Sequence, residues 1–111
     1  LVDRWLSDDF RATDPGLTQV LVDMLRRTPE AGYVGNCAAL RDADFREQVG
    51  AIKASTLVIS STHDPSATPA QGRELAAAIP GARCVELNTS HISNWEQPEV
   101  FSRTVIDFLK G

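Results

Sequence analysis

The groups best suited to moving a proton sit in two short strings. These are Ser61-Thr62-His63-Asp64-Pro65 and Asn88-Thr89-Ser90-His91-Ile92-Ser93-Asn94, and between them they hold both histidines of the chain. An imidazole titrates close to neutral pH and can take a proton from a nucleophile and return it, provided a carboxylate fixes its tautomer and stabilises the imidazolium. Asp64 and His91 are the candidate orienting acid and general base of such a device, and His63 is read as a loop residue beside the acid. Alone the pair is ordinary, because an Asp before Pro commonly closes a turn by accepting backbone N–H bonds. Its chemical meaning depends on a fold that brings position 64 to position 91.

Other chemistries fit these residues less well. A thiol–imidazole pair made from Cys84 and His91 would put the sulfur in mid-strand, where a buried thiol stays protonated and inert. Zinc held by His63, Asp64 and His91 would need three convergent ligands with supporting hydrogen bonds, and Asp64 already has a use. The sequence has no G-x-G-x-x-G and no glycine-rich phosphate loop. No metal and no cofactor is therefore expected. Cys37 and Cys84 have no C-x-x-C spacing and no secretory signal ahead of them, so they are expected to be buried free thiols in a reducing, cytoplasmic setting.

The elements that must position the two strings differ between the halves of the chain. Trp5, Leu6 and Phe10 form a first short amphipathic segment. Asp14-Pro15 supplies an N-cap and a first-turn proline for a helix that carries Leu17, Val20, Leu21, Met24 and Leu25 on one face and ends at the basic pair Arg26-Arg27. Thr28-Pro29-Glu30 opens a third helix in the same manner, with Tyr33, Val34, Cys37 and Leu40, and Asp42 to Val49 reads as a shorter fourth. The apolar faces of these helices are expected to pack as core. From Thr56 the pattern changes: Thr56 to Ser60 is a short apolar run without polar alternation, which reads as a strand covered on both faces. A loop over Ser61 to Ala67 leads to a helix from Thr68-Pro69 to the stop at Pro80-Gly81, then a strand Arg83 to Leu87 and a last helix from near Pro98.

The second half is thus β-α-β-α, and in sheets of that kind ligands and catalytic groups gather at the carboxyl ends of the strands, where both strings fall. A parallel strand buried on both faces needs neighbours on its edges, and only two candidate strands are present. The expectation is an α/β fold in which residues 1–50 form a helical layer and residues 51–111 the last part of a larger sheet domain, divided near Lys53-Ala54-Ser55. One hundred and eleven residues with 42% hydrophobic and 23% charged side chains suit one globular domain or part of one. The 11 basic residues against 15 acidic, with no basic block longer than Arg26-Arg27, give no footprint for nucleic acid or anionic lipid. The longest apolar run, Leu75 to Ile79, falls far short of the roughly 20 residues a membrane helix needs.

The string Thr56-Leu57-Val58-Ile59-Ser60-Ser61-Thr62-His63-Asp64 resembles the strand-to-acid segment of the α/β-hydrolase superfamily. Ile79-Pro80-Gly81-Ala82-Arg83, Ser90-His91 and Gln97-Pro98-Glu99 resemble its last strand and histidine loop. Cys37-Ala38-Ala39-Leu40-Arg41-Asp42-Ala43-Asp44 and His91-Ile92-Ser93-Asn94-Trp95-Glu96-Gln97-Pro98 are similar to the bacterial 3-oxoadipate enol-lactonases. The resemblance implies the C-terminal half of an α/β-hydrolase fold, with residues 1–50 as a helical lid segment followed by the last two parallel strands and their helices. It also implies Asp64 and His91 as two members of a Ser-His-Asp triad, and a cytoplasmic, cofactor-free opening of an enol-lactone.

The sequence departs from the superfamily in one respect. No serine is flanked by glycines in the G-x-S-x-G pattern of the nucleophile elbow. The nucleophile is expected from an N-terminal portion of the same protein, and either that portion or self-association is expected to cover the sheet edge. Two alternatives stay open: another α/β-hydrolase acting on simple esters, or a non-catalytic truncated piece serving as an interaction module. Trp5, Arg4, Tyr33 and Arg41 are undivided candidates for contact with a small lactone or ester.

Overall fold

A computed structural model describes the whole chain, residues 1–111. Its helical half comprises α1 (Val2–Trp5), α2 (Asp8–Thr13), α3 (Pro15–Arg27) and α4 (Glu30–Asp42). Side-chain oxygens start two of these. Ser7 Oγ accepts the Phe10 N–H at 3.2 Å and Asp14 Oδ1 accepts the Leu17 N–H at 2.8 Å, each satisfying a donor that has no partner within its own helix. The segment from Trp5 to Phe10 is therefore two short helices. They are separated by an extended, fully buried Leu6 at 1% exposure.

Three expectations fail here. Thr28 does not cap α4, because its hydroxyl donates backward to the Met24 carbonyl at 3.0 Å, and Pro29 stands at the cap position without a side-chain bond. The helix over Asp42 to Val49 does not form beyond Asp42. Asp44 instead accepts both the Arg46 backbone N–H at 3.1 Å and its guanidinium, a local alternative to the helical ladder, and only a 3₁₀ turn at Val49–Ala51 follows. The same pairing lowers the exposed Asp44 carboxyl to about 2. The apolar faces also stay largely uncovered: of α3 only Leu21 is buried, α4 buries nothing, and Val34 and Leu40 are exposed.

The second half is β1 (Leu57–Ser61), α5 (Pro69–Ala78), β2 (Arg83–Leu87), α6 (Ser93–Glu96) and α7 (Pro98–Lys110). The strands pair in parallel from Leu57↔Arg83 to Ser61↔Leu87, as the continuous apolar run implied. Thr68 and Gln71 form a reciprocal capping box at the start of α5, and Gly81 at φ 73° makes the turn into β2 that a Cβ would resist. Side chains alternate across a strand. Val58 and Ser60 accordingly face α5, whose Gly72 lies against both, while Arg83 on the opposite face stacks its guanidinium over Phe108 of α7 at 5.7 Å. Helices thus cover both faces, although Leu57, Ile59 and Val85 remain half-buried.

β1 hydrogen-bonds to β2 alone, so its other edge is open. The accessible surface, 7849 Å², exceeds the roughly 6,000 Å² expected of a compact protein of this mass. The radius of gyration, 15.7 Å, likewise exceeds about 13 Å. Much apolar surface is left for something else to cover. The cysteine expectation fails for the same reason, since Cys37 lies on the uncovered α4 and Cys84 near the exposed start of β2, and both thiols are free and exposed.

Candidate active site

Parallel pairing aligns the carboxyl ends of β1 and β2, and the loops that leave them are stitched together by main-chain bonds. Thr62 N–H and hydroxyl both donate to the Leu87 carbonyl, at 2.8 and 3.0 Å, and His63 N–H donates to the Thr89 carbonyl at 3.0 Å. Between the loops Thr89, 1% exposed, donates its hydroxyl to Ser61 Oγ at 2.9 Å. This seam ties the Asp64 loop directly to the histidine loop.

Asp64 is buried, at 7% exposure, and each of its carboxylate oxygens is used. Oδ1 accepts the N–H groups of Ser66 at 2.7 Å and Ala67 at 3.1 Å, the turn role that an Asp before Pro ordinarily plays, while Oδ2 lies 2.7 Å from Nδ1 of His91. Burial pushes this carboxyl up, but the hydrogen bonds from His91, Ala67 and Ser66 outweigh it and hold the group below the ordinary carboxylate value. Asp64 is then ionised at neutral pH and can only accept, so Nδ1 of His91 donates to it and Nε2 is the ring nitrogen the acid does not engage. That nitrogen has no hydrogen-bond partner within the chain, and about a third of the side chain is exposed. His91 and Asp64 line a groove of about 300 Å³ together with Ile59, Ser61, Leu75 and Ser93.

The structure therefore brings Asp64 and His91 together and sets the other candidates aside. His63 turns its Nε2 to Asn88 Oδ1 at 2.9 Å, bridging the two loops. Cys84 pairs in register with Val58, about 10 Å before the end of its strand, and forms no contact with His91. A larger groove of about 450 Å³ between Phe45, Val49 and α5 contains no histidine, cysteine or serine.

Sequence reasoning missed two residues that touch the histidine loop. The indole of Trp5 stacks on the His91 ring, with centroids 6.2 Å apart and planes inclined by 27°. Glu96 accepts the Ser90 N–H at 2.8 Å on one oxygen and the Ser7 N–H on the other. Trp5 is a candidate for substrate contact by its type alone, and nothing in the type of Glu96 marks it. No spacing rule links Trp5 to His91 or Glu96 to Ser7, because those contacts span most of the chain, while the Glu96–Ser90 bond is local to the loop.

No family model matches the chain. It is 36% identical over 108 residues to 3-oxoadipate enol-lactonase 1 of Acinetobacter baylyi (strain ATCC 33305 / BD413 / ADP1), a match covering 97% of this chain and 41% of that one. The crystal structure of the enol-lactonase from Burkholderia xenovorans LB400 superposes with a TM-score of 0.96 at 49% identity, over 97% of this chain and 42% of that one. The chain belongs to the α/β-hydrolase superfamily. Its architecture is the C-terminal half of the α/β-hydrolase fold, and it spans about two fifths of the length of the curated relatives it matches. A thermophilic esterase from Thermogutta terrifontis shares this α/β-hydrolase fold at TM-score 0.92 with 20% identity, over 99% of this chain and 41% of that one. No helix of the chain is long and apolar enough to cross a membrane.

Proposed function

We propose that these 111 residues supply the acid and the base of a serine hydrolase that opens 3-oxoadipate enol-lactone to 3-oxoadipate. Residues 1–50 would form a lid segment and residues 51–111 the end of the core. The nucleophile would come from a G-x-S-x-G elbow on the N-terminal portion of the same polypeptide. The observation that carries the reading is the 2.7 Å contact of His91 Nδ1 with the buried Asp64 carboxylate, which leaves Nε2 without a hydrogen-bond partner in the chain.

In this mechanism Nε2 takes the hydroxyl proton as the serine oxygen attacks the lactone carbonyl, and Asp64 stabilises the imidazolium that forms. Collapse of the tetrahedral intermediate breaks the ring C–O bond, the His91 proton goes to the departing enol oxygen, and the enol tautomerises to the 3-oxo acid by moving a proton from that oxygen to carbon. His91 then takes a proton from water as the water attacks the acyl-enzyme, and returns it to the serine. The substrate assignment is supported by the 36% identity to a 3-oxoadipate enol-lactonase and the 49% identity to a solved enol-lactonase. The exposed free cysteines suit a reducing cytoplasm.

A serine-directed phosphonate tests the proposal in the full-length polypeptide that carries this chain. Labelling of one serine outside these residues, abolished by the enol-lactone in competition, is the expected result. Labelling of any serine within them, or none, would overturn it.

A further inference from the structure

The two halves of the chain meet at the histidine. Apart from the local turn over residues 48–52, only two hydrogen bonds join residues 1–50 to residues 51–111, and both end on the histidine loop. Ile92 N–H donates to the Trp5 carbonyl at 3.2 Å, and Ser7 N–H donates to the Glu96 carboxylate. The second oxygen of Glu96 accepts the N–H of Ser90, the residue before His91. Between these anchors the Trp5 indole lies on the His91 ring.

We infer that Glu96 is a positioning residue that ties the α1–α2 joint to the histidine loop and thereby sets the Trp5 face against which the base is held. This rests on the proposed role of His91. A carboxylate is required because it alone offers two acceptor oxygens, and the two N–H groups come from segments otherwise hydrogen-bonded to each other only by Ile92 N–H and the Trp5 carbonyl. A glutamine would keep one acceptor and present an amide donor to the other N–H, so one anchor must open. Trp5 sits two residues before Ser7 and would swing with the joint. Asp64 fixes only one ring nitrogen, so loss of the indole face frees the ring to tilt about the Nδ1 contact. Small errors in the placement of a base are costly in rate.

Three variants of the full-length polypeptide test this: Glu96→Gln, Ser7→Pro and Ser7→Ala. Ser7 has φ −65°, and the preceding Leu6 is extended at φ −120°, ψ 142°, so a proline fits the backbone while removing the N–H that Glu96 accepts. Ser7→Ala removes only the cap hydroxyl. In Glu96→Gln and Ser7→Pro the His91 ring-proton NMR resonances, shifted by the indole ring current, should move toward those of Trp5→Leu. At the same time kcat for the enol-lactone should fall about ten- to a hundredfold with little change in KM. Ser7→Ala should move neither. If Glu96→Gln does not fold, Ser7→Pro decides with the same readings. Wild-type His91 resonances and kcat in the proline and glutamine variants, with only a lowered Tm, would overturn the inference. The NMR readings do not depend on the reaction, and the failure of the triad reading would appear separately as an active His91→Ala.

Discussion

Oδ2 of Asp64 lies 2.7 Å from Nδ1 of His91, and the other oxygen of the same carboxylate is occupied by the N–H groups of Ser66 and Ala67. The acid is thereby fixed in place by its own turn and cannot follow the imidazole. The imidazole must present Nε2 in one direction, away from the acid. A dyad built this way needs only a nucleophile in that direction to become a triad.

Asp64→Asn in the full-length polypeptide should lower kcat by about 10⁴, because the amide Nδ2 can face the imidazole as a donor and favour the tautomer protonated at Nε2. His91→Ala should cost at least as much. The double variant should be scarcely slower than His91→Ala, since groups acting as one unit are not additive. His63→Ala, whose ring meets only Asn88 by its side chain, should leave kcat within a few-fold. Steady-state kinetics on the four variants check this. Additive losses would contradict the shared role.

The pH dependence of stability follows from the same contact. The folded Asp64 carboxyl sits below its unfolded value of about 3.9, so its contribution is fully present above that pH and disappears as pH falls through the lower folded value. The stability gap between wild type and Asp64→Asn should shrink as pH falls below about 4. Denaturant unfolding across that range measures it. A gap that fails to shrink there would mean that the carboxyl gains nothing from its hydrogen bonds in the folded state.

Most of the site was legible because it is local to the two strands. A parallel β-α-β unit obliges the residue after β1 to meet the loop after β2, so Asp64 and His91 could be paired from the order of elements alone. The caps at Asp14 and Thr68 were equally legible, since each depends on a neighbour three residues away. What failed was decided elsewhere. The helix after Asp42 lost to one Asp44–Arg46 pairing, and the buried cysteines and helix faces were inferred from apolar character without a layer to bury them. Glu96 carried no signal because its tie to Ser7 spans 89 residues and its bond to Ser90 follows no helical or strand period.

Gly72 marks where α5 comes closest to the sheet. A Cβ there would fall 1.7 Å from Ser60 Oγ and 3.0 Å from Ser60 Cβ, so the hydroxyl must rotate and the helix must also shift. Gly72→Ala should destabilise by about 1–3 kcal/mol despite a gain of up to about 1 kcal/mol in helix propensity. Adding Ser60→Ala should recover part of the loss by removing the oxygen. Thermal unfolding of the single and double variants checks this, and a stabilised Gly72→Ala would show that α5 sits further from β1.

The chain expressed by itself has surface left to bury. Its accessible surface exceeds by about 1,800 Å² what a compact protein of its mass exposes, which is the scale of a standard protein–protein interface. The excess has identifiable sources. β1 offers one unpaired edge, and Val34, Leu40 and Phe45 are more than half exposed. An open parallel edge beside apolar faces is a template for further strands, and nothing in its sequence blunts it, since Leu57 to Ser61 contains no charge and no proline. The 111 residues alone should therefore self-associate with rising concentration, bind a hydrophobic dye, and become monodisperse when mixed with the N-terminal portion of the polypeptide. Sedimentation velocity over a concentration series, with and without that portion, measures this. A monodisperse monomer that unfolds cooperatively and binds no dye would mean that the helices close over the edge in solution, and that the sheet needs no further strands.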